Sequence, residues 1–162
     1  MNATIELDIA KVKAQEEALI FNHFDEDVAL QLGLLIRERA DEYGPIVVDI
    51  RRGDDVLFFC SMPGTAPANA DWARRKRNLV NKIQRSSYLI GLWAKTGEDL
   101  VSAMALDPRD HTPHGGSFPI RVAGAGVVGT VTVSGLPQRT DHKLATDCIA
   151  ELLAIDLGEN QF

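Results

Sequence analysis

Two imidazoles and a glycine pair fall within six residues of each other in His111-Thr112-Pro113-His114-Gly115-Gly116, which runs on into Ser117-Phe118-Pro119-Ile120. An imidazole can act as general acid or base, ligate a metal, or hold a haem iron from one axial side. His111 and His114 are spaced for one metal, with Asp107 and Asp110 nearby. The chain has no cysteine pair and no His-Glu-x-x-His, and Pro113 works against a helical ligand face, so no metal is assigned. His114 as a single axial ligand to haem, or as an acid or base, stays open. Gly115-Gly116 permits positive φ and close approach of another group, as a ligand loop requires, although a tight, well-filled turn accounts for the same residues.

The second group is Asp71-Trp72-Ala73-Arg74-Arg75-Lys76-Arg77-Asn78, with four bases in sequence in an acidic protein. Trp72, Leu79, Val80 and Ile83 share one helical face. Arg75 and Lys76 flank that stripe and are expected to point toward a pocket or interface. Arg74, Arg77 and Asn81 fall opposite and are expected in solvent. An Arg fork suits bidentate recognition of a carboxylate or other anion. A solvated face with an Asp71–Arg75 pair is the plainer account.

Other motifs carry less. Ser134-Gly135 lies at a strand end but lacks the Gly-x-Ser-x-Gly nucleophile elbow. Gly124-Ala125-Gly126-Val127-Val128-Gly129 matches a dinucleotide fingerprint in letters only, because it precedes a strand instead of following one. His23 and His142 are expected at the surface or in caps. Cys60 and Cys148 sit in apolar contexts and read as reduced core thiols.

These residues need elements to position them. Ile5, Ile9, Val12, Leu19 and Ile20 predict an amphipathic helix near 6–21, and Asp25 caps a second that stops at Gly44-Pro45. Residues 46–51 and 56–60 predict a hairpin, 70–95 a long helix interrupted near Ser86-Ser87, and 98–116 a loop with one helical turn. Residues 117–122 and 127–134 predict a second hairpin, and 136–157 a closing helix with Pro137 in its first turn. Two hairpins with two helices before them and one at the end imply an α+β fold, with an antiparallel sheet flanked by helices.

The 162 residues suffice for one domain spanning 1–162. A net charge of −6 argues against nucleic acid as a partner. The acidic N-terminal residues and the lack of a long apolar run lead us to expect a cytoplasmic protein with no membrane partner.

Asp71-Trp72 with Arg74 to Asn78, then His114-Gly115-Gly116-Ser117-Phe118-Pro119-Ile120, then Gly126-Val127-Val128-Gly129 through Ser134-Gly135-Leu136-Pro137 together resemble the haem-degrading-domain family. Its uncharacterised single-domain branch is most similar, and the C-terminal half is similar to GlcG-type proteins. The resemblance implies a profilin-like domain that assembles into dimers or larger rings. Some relatives bind haem, but no established reaction comes with this branch. Arg75, Arg77, His114, Gly115, Gly116, Ser134 and Gly135 match the family's positions.

The ligand-binding candidates are His114, Gly115, Gly116 and Ser117 on the loop, Arg75, Lys76 and Arg77 on the basic helix, and Ser134. The leading expectation is a homo-oligomeric module for a small anion or a tetrapyrrole, with haem as the possible cofactor. A protein-interaction scaffold and an enzyme using His114 are the alternatives.

Overall fold

A computed structural model describes residues 2–162. Asn2 caps the first helix, α1 (Ala3–Ala18), by accepting from Thr4 N at 3.0 Å. The chain then lays down a two-residue strand, β1 (Ile20–Phe21), before α2 (Glu26–Arg39), which Asp25 caps through Val28 N at 2.9 Å. Both early helices therefore do not precede the sheet, as the sequence suggested: the apolar Leu19 and Ile20 have left α1. Next come the hairpin β2 (Val47–Arg52) and β3 (Asp55–Ser61), then α3 (Pro67–Ile83), α4 (Ser87–Lys95) and the single turn α5 (Leu100–Ala103). A second hairpin, β4 (Ser117–Val122) and β5 (Gly126–Ser134), leads into α6 (Gln138–Leu153). The helical stretch expected over 70–95 is two helices, because Gln84 turns left-handed (φ 60°) and Ser86 starts α4 by accepting from Leu89 N.

The five strands lie in the order β1-β4-β5-β2-β3. Both hairpins are antiparallel, and so is the β2–β5 pair that joins them, with Val48 opposite Val133 and Ile50 opposite Val131. β1 runs parallel to β4, so the sheet is mixed where an all-antiparallel one was expected. The chain leaving α1 reaches the β4 edge in the β4 direction, and Ala123 N donates to Phe21 O at 2.8 Å. The α+β class stands.

Side chains alternate across a strand, so the register sorts the sheet into two unlike faces. Val48, Ile50, Phe118, Ile120, Val131 and Val133 form the apolar face and bury against Leu32 and Ile36 of α2 and Leu144, Cys148 and Ile149 of α6. Asp49, Ser117, Thr130, Thr132 and Ser134 form the other face, all of them buried. α3 covers that polar face, and it must answer buried polar atoms with polar side chains. A smaller apolar cluster, Val12 with Tyr88, Leu89 and Leu92, fastens α1 to α4.

Candidate functional site

α3 answers the polar face with charge. Lys76 is only 3 % exposed, and its Nζ donates to Asp141 Oδ2 at 2.9 Å and to Val133 O at 3.1 Å. Asp141, on the first turns of α6, also accepts from Leu136 N at 3.0 Å and Gly135 N at 3.4 Å, so one carboxylate holds the strand-to-helix corner and the buried ammonium. Burial pulls the Lys76 pKa below the ordinary amine value, against the attraction of Asp141. Burial likewise lifts the Asp141 carboxyl above its ordinary range, with Lys76 opposing.

The histidine loop closes over this pair. Thr112 N donates to Arg75 O at 3.3 Å, Gly115 N donates to the Gln138 side chain at 3.0 Å, and Pro113 O packs so close to Gly91 that a Cβ there would lie 2.1 Å from it. Gly116 has φ +136°, and a Cβ on it would meet Val133 O at 2.2 Å and Lys76 Nζ at 2.8 Å. The glycine pair is therefore a backbone requirement of the loop's contact with β5 and α6. His114 packs edge-on against the Trp72 ring with centroids 4.9 Å apart, and its Nδ1 lies 2.6 Å from Thr112 Oγ1. Burial, then the cations Lys76, Arg75 and Lys95, hold its pKa below the ordinary imidazole value, so the ring is neutral at pH 7.

Between loop, α3 and the start of α6 lies a cleft of about 270 Å³, lined by residues including Asn69, Trp72, Lys76, His114, Ser134, Gln138 and Asp141. Larger hollows exist, about 380 Å³ beside Arg39 and Glu151 and about 500 Å³ beside Arg85 and Arg121. Neither joins an imidazole to a buried Lys–Asp pair, and shifted ionisable groups converging on a cleft are the physical mark of a site.

Lys76, His114 and Ser134 are thus brought together, while Gly115 and Gly116 are not on the cleft wall and instead pack the loop onto Gln138 O and Val133 O. Arg75 stands behind that wall: its guanidinium stacks 4.0 Å from the Trp72 ring centre and pairs with Asp71. Ser117 lies deeper, its hydroxyl 2.8 Å from Thr132 Oγ1 and its backbone N bonded to Ser87 Oγ. Arg77, expected in solvent, is buried on the far side of α3 and pairs with Asp49 of β2. His111 folds onto Asp107 O at 3.0 Å, away from the cleft.

His142 departs furthest from its expected surface position. It is fully buried among Tyr88, Phe118 and Phe162, Nε2 lies 2.7 Å from Gln15 Oε1, and burial pushes its pKa down to about 3. Asn69, Trp72, Gln138 and Asp141 were not singled out as site residues from sequence. Asp141 reads there as an ordinary acid in a first helical turn, a place acids favour for the dipole alone. Among the described residues no three His, Cys, Asp or Glu side chains cluster as a metal site, and no helix is long and apolar enough to cross a membrane.

Residues 24–150, which include the cleft, match the family described as haem degrading protein HbpS-like. A UPF0303 protein of Acidobacterium capsulatum is 50% identical over 151 residues, 92% of either chain. The fold is similar to the crystal structure of Ybr137w protein (TM-score 0.81, 24% identity, covering 90% of this chain and 87% of that one). It is also similar to that of the PduOC:heme complex (TM-score 0.65, 20% identity, 88% of this chain and 100% of that one). At those identities the two structures speak to the fold alone, while the sequence match settles kinship: the chain belongs to the HbpS-like family of haem-degrading proteins.

Proposed function

We propose that the chain is a small-ligand binding module whose cleft takes a compact molecule bearing a carboxylate or comparable oxyanion. The observation that carries this reading is the surplus of donors around the Lys76–Asp141 pair. Lys76 has three N–H groups and two are engaged, leaving one. The Ser134 hydroxyl has no partner among the described residues, and Asn69 and Gln138 use their carbonyl oxygens on Ala66 N and Gly115 N, which leaves their amide N–H groups. Asp141 already accepts from three donors, Lys76 Nζ, Leu136 N and Gly135 N, so it takes up little of this surplus. A ligand rich in acceptors satisfies what the protein leaves open.

Haem is the second reading. The family description and the PduOC:heme structure support it, and His114 is the imidazole that would meet the iron. The cleft of this chain does not fit the macrocycle. Its volume of about 270 Å³ lies below the roughly 300–1,000 Å³ of common ligand pockets, and a flat apolar disc needs apolar walls on both faces. Here Trp72 and Leu136 are the only large apolar side chains on the wall among the described residues. Self-association belongs to the same proposal: Leu30 and Leu34, one turn apart on α2, are 47% and 54% exposed and give a second copy something to cover.

Thermal unfolding with acetate, oxalate, malate and inorganic phosphate, beside a haemin absorbance titration, tests the reading. At least one anion should raise the midpoint in the parent chain, and by less at the same concentration in Ser134→Ala. A saturable Soret shift abolished by His114→Ala, with no anion effect, would replace it with the haem reading.

A further inference from the structure

Lys76 and Arg77 are consecutive, so they leave α3 about 100° apart and reach different places on the sheet, Lys76 the end of β5 and Arg77 Asp49 of β2. Arg77 reaches Asp49, a carboxylate only 1 % exposed, and Asp49 also accepts from Arg51 Nε at 2.9 Å. These three line a depression of about 380 Å³, separate from the cleft, whose wall includes Phe59 of β3, directly opposite Asp49 in the register. Phe59 is 46% exposed.

One guanidinium neutralises Asp49, and two leave a cation over. The other charges on this wall do not absorb it: Asp71 is paired with Arg74 and Arg75, and Arg74 also reaches Asp110 and Arg109 O. Each arginine has five N–H groups, and Arg51 and Arg77 each spend one on Asp49, with no other side-chain or backbone acceptor among the described residues. Opposite Arg51 on β5, the buried Thr130 hydroxyl also lacks a partner. Asp49 thus works as a template that holds two forks side by side with spare donors, beside an uncovered aromatic ring.

We propose that this depression is a second ligand site, for an aromatic carboxylate. The carboxylate takes the free N–H groups of Arg51 and Arg77, a geometry that planar guanidinium forks match. The ring of the ligand lies against Phe59, at the offset or edge-on separations that aromatic pairs favour. A bare oxyanion would use the arginines alone and leave Phe59 without a role.

Heteronuclear NMR of the full chain, titrated separately with benzoate, acetate and inorganic phosphate, tests the proposal. Benzoate should move the Phe59 ring and Arg51 side-chain signals saturably, with a concentration dependence of its own, separate from any movement of the His114 signals in the cleft. Acetate and phosphate should bind roughly tenfold more weakly, and Phe59→Ser and Arg51→Gln should each weaken benzoate by roughly tenfold, about the loss of one charged hydrogen bond or aromatic contact. Both substitutions are at partly exposed positions, so urea midpoints near the parent value confirm folding. Absence of a saturable shift, equal affinity for acetate or phosphate, or unchanged benzoate affinity in the two folded variants would overturn it.

Discussion

Lys76 Nζ and Asp141 Oδ2 stand 2.9 Å apart with both side chains under 5 % exposed, and this pair joins α3, the end of β5 and the start of α6 at one point. Two opposed charges out of water are held in place chiefly by each other, because either alone would be an uncompensated buried ion. The pair is at once the floor of the cleft and a clamp of the fold.

The costs of removing the two partners should therefore not add. Lys76→Met and Asp141→Asn are each expected to destabilise the chain by about 3–5 kcal/mol, while the double variant should lose clearly less than the sum of the two. Urea denaturation of the three variants measures this coupling.

Gly116→Ala should be among the most damaging single-methyl additions. Its Cβ would lie 2.2 Å from Val133 O in a backbone conformation, φ +136°, that a side chain rarely adopts. A loss of more than about 3 kcal/mol is expected, seen as a lowered urea midpoint at unchanged slope.

Ser134→Ala separates binding from stability. The hydroxyl has no partner among the described residues, so its removal should change stability by no more than about 0.5 kcal/mol. Anion binding in the cleft should weaken several-fold, by about 1 kcal/mol for one lost hydrogen bond. Thermal unfolding with and without the anion reads both quantities from one preparation.

His142 gives the acid limb of stability a definite sign. Its folded pKa is depressed to about 3, while the unfolded chain takes the proton near pH 6.5. The stabilising contribution is complete above pH 6.5 and is lost as pH falls toward 3. Below about pH 6 the loss approaches about 1.4 kcal/mol per pH unit for this one group. His142→Phe should flatten the limb between pH 6 and about 4.5, above the main carboxylate range, in urea unfolding followed across pH.

The hairpins were legible in the sequence because Val47-Val48 to Arg52 and Asp55 to Ser61, like Ser117 to Val122 and Gly126 to Ser134, are β-rich runs separated by glycine-containing turns. β1 was not, since two residues cannot show a period. Arg77 was misplaced for a more instructive reason. A helical wheel assigns its buried side by apolar residues, but α3 covers a sheet face built from Asp49, Ser117, Thr130, Thr132 and Ser134, and a polar face draws charge inward. The same omission hid Asp141, whose partner lies 65 residues away on another helix. His142 was misread because its polar neighbour, Gln15, comes from α1, and no local pattern announces a bond across 127 residues.

The ionisation of His114 tests the central claim most directly. Its pKa is held down by burial and by Lys76, Arg75 and Lys95, so an oxyanion bound beside it should favour the imidazolium and raise that pKa. Titrating the His114 ring signals by NMR across pH 4.5–8, with and without saturating oxalate, measures the shift. The account predicts an upward move in the parent chain that needs several-fold more oxalate in Ser134→Ala and disappears in Lys76→Met. A His114 titration curve indifferent to oxalate, phosphate and malate alike would contradict an anion-binding cleft.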